Sequence, residues 1–169
     1  MMYKIGFYTG LCWSASFLLA MLSLTQPVFG LTGNLVGVAS IVVAGWMLRA
    51  MQMADGAGAQ PWGVHRRWRM SLRVQLLAAV LCLFVQYVYF RYVDNGHFLS
   101  ALADMYTDPQ YSDMMSKLMQ ETNPKEVLEV FSHITLNELA LNFMVVNAFF
   151  AIILSIPTAI VARVRPKAG

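Results

Sequence analysis

From Ile5 to Leu48 the chain carries no charged residue. The run is too long for one bilayer crossing, which takes roughly 20 residues of helix, and Thr25, Gln26 and Pro27 interrupt it. It therefore reads as two helices, 5–24 and 28–48, joined by a tight turn. A third uncharged run, Val74 to Phe90, extends to 71–90 if the stem of Arg73 lies along apolar surface with its head in water. A fourth fills 139–162. Open strands leave backbone groups without partners in lipid, so all four spans must be helices. With 58% hydrophobic and 12% charged residues the composition lies outside the soluble range. The expected fold is an all-α membrane protein of four transmembrane helices, one integral-membrane domain over 1–169, with an outer amphipathic helical segment between the third and fourth spans. The first run exceeds the apolar core of a signal peptide and has no A-x-A-like site before Gln26, so it reads as a retained helix.

Charge distribution sets direction. Lys4, Arg49, Arg66, Arg67, Arg69, Arg73, Arg163, Arg165 and Lys167 fall on one side of the spans, and Arg91, Lys117 and Lys125 on the other. The positive-inside rule then places both termini and a basic loop, 49–70, in the cytoplasm. The location implied is a bacterial inner membrane crossed several times. Most acids lie in the outer segment, 94–137, which is periplasmic on this reading. The formal net charge of +3 does not indicate nucleic acid, because no reader motif is present and the basic residues sit beside apolar runs.

The stretch "VHRRWRMSLR", Val64 to Arg73, is denser in charge than orientation requires. Arg66, Arg67, Arg69 and Arg73, with Trp62 and Trp68 as interfacial anchors, form the candidate surface for anionic lipid or a partner. Each cation near an anionic leaflet contributes on the order of 1 kcal/mol.

The outer segment has helical periodicity: Phe98, Leu99, Leu102, Met105 and Tyr106, then Tyr111, Met114, Met115, Leu118 and Met119, then Val127, Val130, Phe131 and Ile134. Asp108-Pro109, Asn123-Pro124 and the Thr135 to Glu138 spacing supply start signals. The expectation is a cap of short helices lying apolar side down on the outer leaflet. Met105, Met114, Met115 and Met119 with His97 and His133 allow a Cu(I) reading, but Met at helical spacing more simply lines a groove for acyl chains or a helix.

Within the spans, the amide side chains are Asn34, Gln75, Gln86, Asn142 and Asn147, with Glu138 at an outer end. Amides in lipid need partners and are expected to hydrogen-bond across the bundle. Gly6, Gly10, Gly33 and Gly37 permit close helix approach, read as span one on span two, with a homo-oligomer face as the second use. Cys12 and Cys82 lack a CxxC-type spacing and read as small apolar fillers. No acid lies near a span centre, which disfavours a proton-coupled carrier. HExxH, G-x-S-x-G and Walker motifs are missing. No catalytic residue, metal or cofactor is expected.

A hairpin with a glycine-rich second helix ("GLTGNLVGVASIVVAG"), an aromatic end to span three ("FVQYVYFRYV"), a Met-rich outer stretch ("YSDMMSKLMQETNPKE") and a fourth span closing on Arg resemble the bacterial membrane family catalogued as domain of unknown function 4199. The resemblance covers nearly the whole chain and rests on layout. It carries over no catalytic residues. The frequent siting of the family's genes beside a polyprenyl-phosphate glycosyltransferase implies a membrane-associated partner of that kind. The expected function is a non-enzymatic accessory subunit that organises a polyprenyl-phosphate carrier for a glycosyltransferase. The alternatives are an oligomeric translocator of lipids or small molecules, and a periplasmic Cu(I)-binding membrane protein.

Overall fold

The computed structural model describes residues 1–24, 26, 28–54, 61–107, 129 and 133–164. Among these are five helices and no strand: α1 Met2–Leu22, α2 Val28–Ala54, α3 Val64–Tyr92, α4 His97–Thr107 and α5 Leu136–Val161. Helices α1, α2, α3 and α5 are long and apolar enough to cross a membrane. The second expected outer helix and most of the third, with Met114, Met115, Met119 and the Asp108-Pro109 and Asn123-Pro124 signals, lie outside the described residues.

Two boundaries differ from the sequence reading. Helix α2 continues to Ala54, and α3 begins at Val64, so most of the expected basic loop, 49–70, is helix. Nothing from Val64 to Tyr92 interrupts a helix: the stretch has no Gly or Pro. Long cationic side chains reach water from a helix that has already left the hydrocarbon, so the membrane boundary needs no break in the backbone.

By internal contacts the chain forms two compact units, Met1–Gln86 with Asn142–Gly169, and Tyr87–Leu141. In the first unit, small residues set the helix spacing. A Cβ on Gly33 would lie 2.9 Å from the Ser16 carbonyl oxygen, and Ser16 Oγ donates to the Gly33 carbonyl at 2.7 Å, so α2 packs on α1 here as expected. Gly6 and Gly10 instead face α3, where a Cβ would lie 2.8 Å from Leu77 Cβ and 2.9 Å from Leu81 Cδ2 respectively. The two glycine pairs thus serve different neighbours, because a helix within a bundle presents different faces to different partners. Gly45, which the sequence reading passed over, meets α5: its Cβ would fall 2.6 Å from Val161 Cβ. The arginine-bearing end closes around Ile5, Ala44, Leu48, Met51, Trp62, Val74 and Ala162.

In the second unit, Asp94 starts α4. Its carboxylate accepts from Phe98 N at 3.1 Å and its carbonyl from His97 N at 2.9 Å, satisfying donors that a helix start leaves open. Asn95 and Gly96 take positive φ, 47° and 82°, to turn the chain into that cap. Phe98, Leu99 and Leu102 are half-buried, while His97, Ser100 and Asp104 are exposed, as the amphipathic reading requires. Thr135 and Glu138 form the expected capping box: Thr135 N donates to Glu138 Oε2 at 2.8 Å and Glu138 N to Thr135 Oγ1 at 3.3 Å. Glu138 therefore fixes the start of α5 from an exposed position.

Candidate functional site

The basic stretch occupies the first turns of α3, and helical geometry divides its arginines. Arg66, Arg69 and Arg73 fall on one exposed face. Arg67 and Trp68 lie on another side, toward α5, in line with Ser71 and Gln75. Trp68 Nε1 donates to Ser155 Oγ at 3.0 Å, Ser71 Oγ to the Ser155 carbonyl at 2.7 Å, and Gln75 Nε2 to Thr158 Oγ1 at 2.7 Å. These bonds bracket Pro157 in α5, whose missing N–H leaves the Ile153 carbonyl without its helical donor.

Beside this seam a pocket of about 320 Å³ is lined by Val64, Arg67, Trp68, Ile156, Ala159, Ile160 and Arg163. Its lining is largely apolar, and Arg67 and Arg163 both contribute to it. Arg67 Nε is shielded and has no acceptor. Trp62 is not an interfacial anchor. It is buried in the core, with the Arg66 guanidinium carbon 4.7 Å above its ring centre. Trp68 remains partly exposed, tethered through its indole N–H.

A larger cavity, about 510 Å³, lies between α1, α2, α3 and α5; it is bordered by Trp13, Ser16, Asn34, Gln86 and Asn147 among others. Asn147 Nδ2 donates to Gln86 Oε1 at 2.7 Å, a buried bond joining α5 to α3. Three of the expected intramembrane amides, Gln75, Gln86 and Asn147, thus bond across the bundle. Asn34 and Asn142 are exposed instead, Asn34 at the cavity edge and Asn142 on an open face of α5. Cys82 also borders the cavity; both cysteines are free. Among the described residues no three His, Cys, Asp or Glu side chains could together hold a metal ion.

The family model described as "Protein of unknown function (DUF4199)" matches residues 4–164. The chain belongs to the DUF4199 family. Among curated proteins and among solved structures nothing matches. In this DUF4199 chain the arginines and amides are legible in the sequence and their grouping across helices is not. The Arg67 and Arg163 pair was missed because the two residues are far apart in sequence and Arg163 read only as a closing charge. Gln52 was missed as well: it is 1% exposed with neither amide atom bonded, and a lone Gln among Met residues gave no signal.

Proposed function

We propose that this DUF4199 protein is a non-enzymatic accessory subunit of a bacterial inner membrane that holds a phosphate-bearing lipid, of the polyprenyl-phosphate type, for a membrane-associated glycosyltransferase. The observation that carries the reading is the pocket between Arg67 and Arg163. Two guanidiniums suit a phosphate, since each presents a planar fork of donors. The apolar floor continues into the exposed Ile156 and Ile160, against which an isoprenoid or acyl chain can lie. Trp68 suits the headgroup level. On this reading the arginine end is cytoplasmic.

The test uses the full chain in phosphatidylcholine nanodiscs containing undecaprenyl phosphate, with bound lipid counted by native mass spectrometry. Arg67→Gln with Arg163→Gln is expected to abolish retention of the phosphate lipid, while Arg69→Gln with Arg73→Gln keeps it. Loss from wild type should grow with salt, as an ion-dependent contact requires. Retention by the Arg67/Arg163 variant, or equal loss from both variants, overturns the assignment. Recovery of a glycosyltransferase from cells with wild type but not with that variant is the expected result for the partner.

A further inference from the structure

We infer that the cavity between the four spans binds an uncharged lipid bearing a hydroxyl beside a carbonyl, as in a diacylglycerol, admitted between α2 and α5. The site is separate from the arginine pocket. At about 510 Å³ it falls within the usual size of ligand sites.

Its polar lining is made of amides and a serine, with no charged residue. A phosphate there would be unpaired in a medium that penalises charge heavily. Gln86 and Asn147 are 4% and 7% exposed, and their mutual bond uses one N–H and one carbonyl. A free carbonyl oxygen and free N–H groups remain on the pair, whichever amide is taken as donor. The sealed polar atoms without partners belong to Gln52, Arg67 and Gln75, and none to Gln86 or Asn147. The unused groups of this pair are thus not sealed off, and both residues line the cavity. They call for one ligand group that accepts and one that donates, a carbonyl and a hydroxyl in a single headgroup.

The route of entry follows from exposure. Trp13, Phe17 and Cys82, from α1 and α3, are buried, whereas Val38 of α2 and Phe150 of α5 are 62% and 48% exposed. The mouth thus lies between α2 and α5, and acyl chains leaving it pass directly into the bilayer.

The experiment uses a diacylglycerol probe with a diazirine on its acyl chain, added to the full chain in phosphatidylcholine nanodiscs, with labelled peptides mapped by mass spectrometry. Saturable labelling near Val38 and Phe150, competed by dioctanoylglycerol, is expected. Trioctanoylglycerol, which lacks the hydroxyl, and dioctanoylphosphatidate, which is charged, should compete about tenfold less well, the equivalent of one lost hydrogen bond. Gln86→Leu with Asn147→Leu should weaken labelling by a similar factor, while Gln75→Leu with Thr158→Val leaves it unchanged. If the first pair fails to fold, Val38→Trp tests the mouth and should block labelling. Labelling spread over the lipid-facing surface, equal competition by all three lipids, or a cavity filled by water, by a second copy or by the chain itself with no saturable labelling, overturns the inference.

Discussion

Arg67 and Arg66 are neighbours in sequence and have different surroundings. Arg66 stacks on the buried Trp62 ring, while Arg67 borders a pocket with Arg163. The difference follows from the 100° turn between adjacent helical residues and is invisible if the stretch is read as a loop. A similar logic governs the amides. Gln86→Leu alone leaves Asn147 Nδ2 without its acceptor in an apolar medium, so it should destabilise the bundle by about 1 kcal/mol more than Gln86→Leu with Asn147→Leu. Unfolding by SDS titration in a double-mutant cycle measures this; losses from the two single variants that simply add up in the double variant would mean the bond contributes nothing. Both residues were legible as polar groups inside spans. Their pairing was not, because periodicity fixes a face but not the depth at which two helices cross. Asn142 shows the converse: it has the same residue type and span as Asn147, yet it faces outward.

The four spans were legible as elements because uncharged length alone dictates a helix in lipid. Helix starts were legible where a side chain must satisfy orphan N–H groups, as at Thr135 and Glu138. Thr135→Ala should cost about 1 kcal/mol, read as faster hydrogen exchange at Asn137 and Glu138, with little change in the middle of α5. The Asp94 cap is not legible in the sequence, since Asn95 and Gly96 stand between it and the helix and no Glu or Gln follows at capping-box spacing. Helix spacing carries its own prediction. Gly45→Ala drives a Cβ to 2.6 Å from Val161 Cβ and 3.1 Å from the Thr158 carbonyl oxygen, whereas Gly37→Ala meets only Ser16, its Oγ at 3.2 Å and its Cβ at 3.9 Å. The first should cost about 1–3 kcal/mol and the second clearly less, by thermal unfolding in detergent. Gly45 does not stand out in the sequence because glycines are common in membrane helices whether or not they pack.

At the scale of the molecule, the proposed topology of four crossings returns the chain to the side on which it began. Cysteine placed at His65 and at Asn95, both exposed, in a Cys12→Ala and Cys82→Ala background, should react from opposite faces of intact spheroplasts. Only Asn95→Cys should be labelled by an impermeant maleimide; labelling of His65→Cys alone reverses the direction set by the arginines. Which residues would meet ligand was the least legible feature, because both pockets are shared among helices remote in sequence. Helix α3 supplies a wall to each. From Arg67 to Gln86 it is one unbroken rod, about 29 Å at the usual helical rise, while its neighbour α5 carries Pro157 opposite the seam. One unbroken helix acts as a ruler: it fixes the spacing between the wall it gives the arginine pocket and the wall it gives the cavity at Gln86.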